Sequence, residues 1–586
     1  MVIICKHNLQ KLIIQYPLLI EKIELGEIGL PDIQRPFVWN SSKVRDLFDS
    51  MYKGFPVGYL LFWASNNGVQ TRQIGTDTKQ VASRLLIVDG QQRLTSLYSI
   101  IKGKSVLNDE YQEKKIKIGF RPKDATFKVT DASVIRNPEF IPDISVVWST
   151  STSHIRFVNS FVAKLKETSE LSKEEEDVIS HNIDKLYDLH YYPFTALELS
   201  SGIDEEQVAN VFVRINSQGI KLNQADFILT LMSVFWDEGR TQLEKFSRTC
   251  KLPSTSNASP FNYFIEPSPD QLLRIAIGLG FRRARLKYAY SILRGKDLQT
   301  EKFSEEKREE QFAILKVAQD YSLDLVNWHE FLNCLKIAGF KSSSQISSNV
   351  GLLYTYVFYL LGKRDFHIDH YVLRKIIAKW FFMQSITRRY SGSPETVMEG
   401  DLTRFREIST SQEFITILDK LVADTLTDDF WNITLVNDLS VSTATSPAIF
   451  AYYASLILLD SNVLFSQLKV SELIDPSIRK VKSIERHHLF PKNYLKSLEI
   501  TDIKEVNQIA NFALVEWHDN IDISDKSPTD YLPEYLDRLS PEEKQKMYYW
   551  HALPEKWEEM KYKEFLENRR KLIANVIRAG FKKLDL

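Results

Sequence analysis

The chain has 586 residues, of which 44% are apolar and 26% charged, with a net charge of −1. That length exceeds what one hydrophobic core serves, and that composition excludes a disordered or fibrous protein, so several folded domains are expected. The near-zero charge excludes a uniformly basic nucleic-acid binder, and contact with a polyanion has to come from local patches.

Three cysteines, Cys5, Cys250 and Cys334, are far apart and odd in number. They provide neither a disulfide framework nor a Cys-x-x-Cys zinc pair, so no structural zinc is expected. The apolar N-terminal run is interrupted by Lys6, His7 and Lys11 and reads as a helix over 1–25, not a signal peptide. A short helix follows at 43–52, where Val44, Leu47, Phe48 and Met51 share one face. Residues 59–63 read as a strand, and so do 85–88.

The second of these strands runs into Asp89-Gly90-Gln91-Gln92-Arg93-Leu94-Thr95 and a helix. A strand, tight turn and helix leave free N–H groups at the turn, where an anion is welcome. Gly90 lets a phosphate approach the backbone, and Arg93 offers a permanently charged clamp. The alternative is an ordinary corner in which Arg93 makes a structural ion pair. No Walker-type Gly-x-x-x-x-Gly-Lys motif is present.

Strands are expected at 115–120, 126–129 and 144–148, a helical stretch at 158–189 and a strand at 191–199. The run 173–177 reads as a solvated helix face. Residues 208–216 lead to Ser217 and Gly219, and 225–236 form an amphipathic helix. Residues 251–269, rich in Ser, Pro and Asn, read as a connecting loop. From 271 to about 435 the periodicity is helical.

Two basic stretches stand out in that region. Between 271 and 294 lie Arg274, Arg282, Arg283, Arg285, Lys287 and Arg294, with no acid and with Tyr288 and Tyr290 among them. Later, Lys379-Trp380-Phe381-Phe382 precedes Thr387-Arg388-Arg389-Tyr390. Cations interleaved with aromatics suit backbone contact and base stacking, or else cover a surface with their stems packed on apolar neighbours. The first stretch reads better as a surface; Arg388 and Arg389 are candidate DNA contacts.

Residues 439–459 lack charge, but Ser446-Pro447 opens a helix over 448–459 that is about half a membrane span. A buried helix, no membrane partner and a cytoplasmic protein are expected. Between 476 and 496 there are six cations (Arg479, Lys480, Lys482, Arg486, Lys492, Lys496) against Glu485, a net of 6 − 1 = +5. Within this field stands His487-His488-Leu489-Phe490-Pro491, followed by Asn511-Phe512-Ala513-Leu514-Val515, then Asp519-Asn520 and Ser527-Pro528. On a strand, adjacent histidines face opposite sides and can divide two tasks.

This C-terminal series resembles the HNH (ββα-metal) nuclease site of GmrSD-type, modification-dependent restriction enzymes. The resemblance implies that His487 and Asn520 are ligands of a divalent metal (Mg²⁺ or Mn²⁺), that His488 is the general base, and that Asn511 orients the base or its loop. His518 and Asp519 remain alternative ligands. Lys482, Arg486 and Lys492 are the nearby DNA contacts. At the other end, Gln34-Arg35-Pro36, the Asp89–Arg93 motif with Thr95, and Phe212-Val213-Arg214-Ile215-Asn216-Ser217 resemble the N-terminal domain of the same enzymes. That domain is similar to the ParB/sulfiredoxin fold. There the resemblance implies that Gln34, Arg35, Asp89, Gly90, Gln91, Gln92, Arg93, Thr95, Arg214 and Asn216 handle an NTP (GTP, ATP or another).

The expected architecture is multidomain α+β. A ParB/sulfiredoxin-like domain covers 1–235, a helical spacer 236–439, and an HNH-type nuclease domain in a mostly helical lobe 440–586. The function implied is a nucleotide-regulated DNA endonuclease or nickase acting on modified double-stranded phage DNA. A nucleotide-switched DNA-binding adaptor with an inactive nuclease fold, or an NTPase, are the rival readings. The modification, the nucleotide and the oligomeric state, a homodimer included, are left open.

Overall fold

The computed structural model describes residues 9–31, 39–64, 70–72, 79–81, 83–107, 113–149, 153–201, 224–254, 257–296, 304–443, 445–478 and 486–585. Gln34, Arg35, Arg214, Asn216 and Lys482 lie outside the described residues. The protein is mixed α+β, and its chain divides into two compact units, 1–240 and 241–586.

The first unit is built on a seven-stranded mixed sheet. Its strands are β1 (Leu9–Gln15), β2 (Ile28–Pro31), β3 (Leu60–Ala64), β4 (Gln70–Arg72), β5 (Lys79–Val81) and β6 (Leu85–Asp89). Two hairpins follow, β7 (Val106–Leu107) with β8 (Glu113–Lys114) and β9 (Ile118–Arg121) with β10 (Thr126–Val129), and then β11 (Pro193–Leu199). The order in the sheet is β1-β11-β3-β6-β2-β4-β5. The buried strands β3 and β6 run antiparallel at its centre, both almost continuously apolar. Helices α1 (Tyr16–Glu24), α2 (Ser41–Tyr52) and α3 (Gln91–Lys102) bury Leu19, Ile23, Phe48, Met51, Leu94 and Leu97 in the same core.

Three expectations are corrected here. Of the helix expected over 1–25, residues 1–8 lie outside the described residues and the described part is helical over Tyr16–Glu24. Leu9–Gln15 is a strand, paired in full antiparallel register with β11 from Leu9↔Leu199 to Gln15↔Pro193. Ile13 and Ile14 suit a pleated edge, but their partner lies some 180 residues away, beyond the reach of a periodicity window. The strand expected at 144–148 is a 3₁₀ turn, Ile144–Trp148, capped by Asp143. Ile144 and Val147 are buried while Val146 is exposed, a period of three rather than two. The single helical stretch at 158–189 is two helices, His154–Lys166 and Lys173–Tyr187. The second starts with a Ser172–Glu175 capping box, so the acids of 174–176 complement a helix N-terminus.

Among the described residues the second unit is helical apart from one small ribbon, β12 (Arg486–His488) and β13 (Phe512–Leu514). Its centre is the helix Asn349–Arg364, in which every residue from Gly351 to Gly362 is buried. The helix Pro447–Leu458 is likewise buried on all sides, as its sequence predicts. It packs on the closing helix Tyr562–Lys582. Gly580 lies inside that helix. A Cβ there would stand 2.4 Å from Ser455 Cβ, so the glycine serves close helix–helix approach. Among the described residues no helix is long and apolar enough to cross a membrane.

Candidate functional site

In the second unit the ribbon pairs Arg486 with Leu514, His487 with Ala513 and His488 with Phe512. Alternation sends the two imidazoles to opposite faces. His487 turns inward and is 3% exposed, its ring edge-on to Tyr531. His488 is half-buried, with its ring 4.6 Å from that of Phe512.

A two-residue link after β13 leads into the short helix Trp517–Ile523. Asn520, one turn in, brings its Oδ1 to 2.9 Å from His487 Nδ1. The other ring nitrogen of His487, Nε2, is buried without a hydrogen-bond partner. Burial pushes the His487 imidazole down to about 4; the Asn520 contact opposes the shift and His488 adds to it. His488 is also held below the usual histidine range, first by burial, with Lys492 contributing and Asn507 opposing. Both rings are therefore neutral at pH 7, the state in which a histidine binds a metal or accepts a proton.

Asn511 is fully buried and acts on the backbone. Its Oδ1 accepts from Phe490 N–H at 2.9 Å, and its Nδ2 donates to the carbonyls of Phe490 and Val506, both at 3.1 Å. It brackets the chain that leaves His488. Burial pushes the Asp519 carboxyl up, and Glu516 and Asp522 add to the effect. Helical rotation turns Asp519 about 100° away from Asn520. Among the described residues no group of three or more His, Cys, Asp or Glu is placed to hold a metal. Lys492 is exposed at the first turn of Lys492–Ser497.

Sequence reasoning missed the residues that hold this site in place. Asn507 Oδ1 lies 2.9 Å from His488 Nε2. Tyr531 Oη donates to the Leu489 carbonyl at 2.7 Å. Arg569, fully buried, donates to the carbonyls of Ala510 at 2.6 Å and His551 at 3.0 Å. The recoverable signal was the spacing Asn507-x-x-x-Asn511; Tyr531 and Arg569 carry none.

In the first unit the β6–α3 corner forms as its residues dictate. Gly90 has φ +94°, and no side chain caps the N-terminus of α3. Arg93 is engaged, however. Its Nη1 donates to the Val57 carbonyl at 2.7 Å, and its Nη2 to Asp89 Oδ2 at 3.1 Å. Gly58 makes room for it, since a Cβ there would stand 2.1 Å from Nη1. Gln92 Oε1 accepts from Trp39 N–H at 3.3 Å, and Gln91 is buried. Thr95 is buried too, and its hydroxyl has no hydrogen-bond partner.

The two basic stretches are largely spent on the fold. Glu399 accepts from Arg283 at 2.7 Å, Arg406 at 2.8 Å and the N–H groups of Ala284 and Arg285. Burial works to raise its pKa, but these donors outweigh it and hold the carboxyl below the usual range. Arg274 pairs with Glu395 and Arg282 with Asp365. In the later stretch, Trp380, Phe381, Phe382 and Tyr390 are core residues, unable to stack on a base. Arg389 forms a two-pronged ion pair with Asp401, which is 2% exposed. A DNA contact by Arg389 would leave that buried carboxylate without its cation, so Arg389 is committed to the fold in this structure. Arg388 is exposed, at φ +53°.

Comparison with known proteins adds two findings. An uncharacterized protein of Methanocaldococcus jannaschii is 23% identical over 555 residues, spanning 89% of this chain and 86% of that one. Residues 18–233 match the family model described as the GmrSD restriction endonuclease N-terminal domain, which ties the chain to restriction-endonuclease-related defence and makes DNA its expected substrate.

Proposed function

We propose that the protein is a nucleotide-regulated, metal-dependent DNA endonuclease or nickase that acts on modified DNA in prokaryotic defence. The observation that carries the reading is the ribbon-and-helix arrangement of β12, β13 and Trp517–Ile523. It sets His487 and Asn520 2.9 Å apart and His488 on the opposite strand face. In this reading it is an HNH-type ββα site.

His487, through Nδ1 once its proton sits on Nε2 instead, and Asn520 Oδ1 would be the protein donors for Mg²⁺ or Mn²⁺. An imidazole and an amide leave the remaining positions to water and phosphate, as a hard cation prefers. When bound, the cation supplies charge at the phosphate and the leaving oxygen. His488, neutral and half-buried, takes the proton of the attacking water. Asn511 keeps the loop behind it in one conformation. Lys492 and, from the sequence, Lys482 and Arg486 meet the DNA backbone.

The Asp89–Arg93 corner takes the phosphates of an NTP at the uncapped start of α3, with Arg93 exchanging Asp89 and the Val57 carbonyl for phosphate oxygens. The double engagement of Arg93 favours a second reading for this corner alone, a structural turn.

The test is nicking of supercoiled plasmid and of differently modified phage DNAs with Mg²⁺ or Mn²⁺, with and without each NTP. His488→Ala is expected to lose about 100-fold or more in rate with its fold retained. Equal nicking by the variant removes the nuclease reading. NTP binding unchanged by Arg93→Ala selects the structural reading of the corner.

A further inference from the structure

Asn507 follows the single turn Ile503–Val506, and its neighbourhood is pinned on several sides. Its own N–H donates to the Ile503 carbonyl at 3.0 Å. The Val506 carbonyl accepts from Asn511 Nδ2 at 3.1 Å, and the Glu505 carbonyl from Tyr562 Oη at 2.9 Å. From this fixed turn Oδ1 reaches His488 Nε2 at 2.9 Å, while Phe512 lies against the ring.

A neutral imidazole carries one N–H and one lone pair, and a carboxamide oxygen only accepts. A hydrogen bond from Nε2 to Oδ1 therefore puts the proton on Nε2 and the lone pair on Nδ1. We propose that Asn507 is a positioning residue of the nuclease site, holding the His488 ring as its Nε2–H tautomer so that Nδ1 is the nitrogen that takes the proton. The inference rests on the reading of His488 as the base.

Two measurements on the full chain test it. In protein labelled with ¹⁵N-histidine, with His488→Gln used for assignment, the His488 nitrogens are expected to report the Nε2–H tautomer, and Asn507→Ala to give a mixture. In plasmid nicking with Mg²⁺, Asn507→Ala is expected to lower kcat roughly 10- to 100-fold with KM for DNA and Tm unchanged. Asn507→Asp, which keeps an acceptor oxygen, is expected to recover most of that loss, and Asn507→Leu none. A wild-type Nδ1–H tautomer, or wild-type kcat in Asn507→Ala, overturns the proposal. If His488→Ala nicks as well as wild type, it is the nuclease reading that fails. The tautomer still decides whether Asn507 holds the ring.

Discussion

A titratable side chain buried in the second unit costs free energy even where it finds a hydrogen-bond partner. His551 illustrates the cost. It is 1% exposed, donates from Nε2 to the Asn462 carbonyl at 3.0 Å, and supplies its own carbonyl to Arg569. Burial, with the Arg569 charge adding to it and the Asn462 contact opposing, pushes its imidazole down to about 3. The unfolded chain binds a proton here below about pH 6.5 and the folded chain does not, so stability falls as pH drops below that value. The loss is about 1.4 kcal/mol per pH unit, or about 2 kcal/mol between pH 6.5 and pH 5. His551→Gln keeps a donor for Asn462 but cannot titrate. Urea unfolding at the two pH values should show a decline smaller by about that amount in the variant, and equal declines would reject the assignment.

Packing between elements makes demands that no single helix reveals. The helices Pro447–Leu458 and Tyr562–Lys582 approach so closely that Ser455 Oγ reaches the Ile577 carbonyl, 3.3 Å away. Gly580 permits this, because an added Cβ would lie 2.7 Å from Ser455 Cα. Gly580→Ala is expected to destabilise by about 1–3 kcal/mol through overpacking. Gly400, in the helix Pro394–Thr403, has open space around it. There the same substitution is expected to stabilise by about 0.5–1 kcal/mol, because only helix propensity and unfolded-chain entropy change. Thermal unfolding of the two variants should move Tm in opposite directions, and a shared direction would contradict this account of Gly580.

On the scale of the whole molecule, charges far apart in sequence settle which cations are available to a substrate. Glu399 gathers Arg283, Arg406 and the amides of Ala284 and Arg285. Glu399→Ala leaves two guanidinium groups and two N–H groups without that acceptor. It is expected to cost about 3 kcal/mol, discounted because both arginines remain partly solvated. Chemical denaturation measures this directly, and a change under about 0.5 kcal/mol would place Glu399 among ordinary surface pairs.

Local turn chemistry by itself determined the β6–Gly90–α3 corner, the helix that starts at Pro447, and the opposed faces of His487 and His488. Those features depend on residues a few positions apart, whose steric and hydrogen-bonding preferences act before any distant contact forms. Tertiary structure alone decided that Leu9–Gln15 is a strand, that Arg389 belongs to Asp401, that Arg93 faces Asp89 and Val57, and that Asn507 and Arg569 stand behind the histidines. Each of these is settled by which of several chemically suitable partners the folded chain delivers, 12 residues away for Arg389, 19 for Asn507, 59 for Arg569 and some 180 for Leu9–Gln15, and local periodicity does not single that partner out.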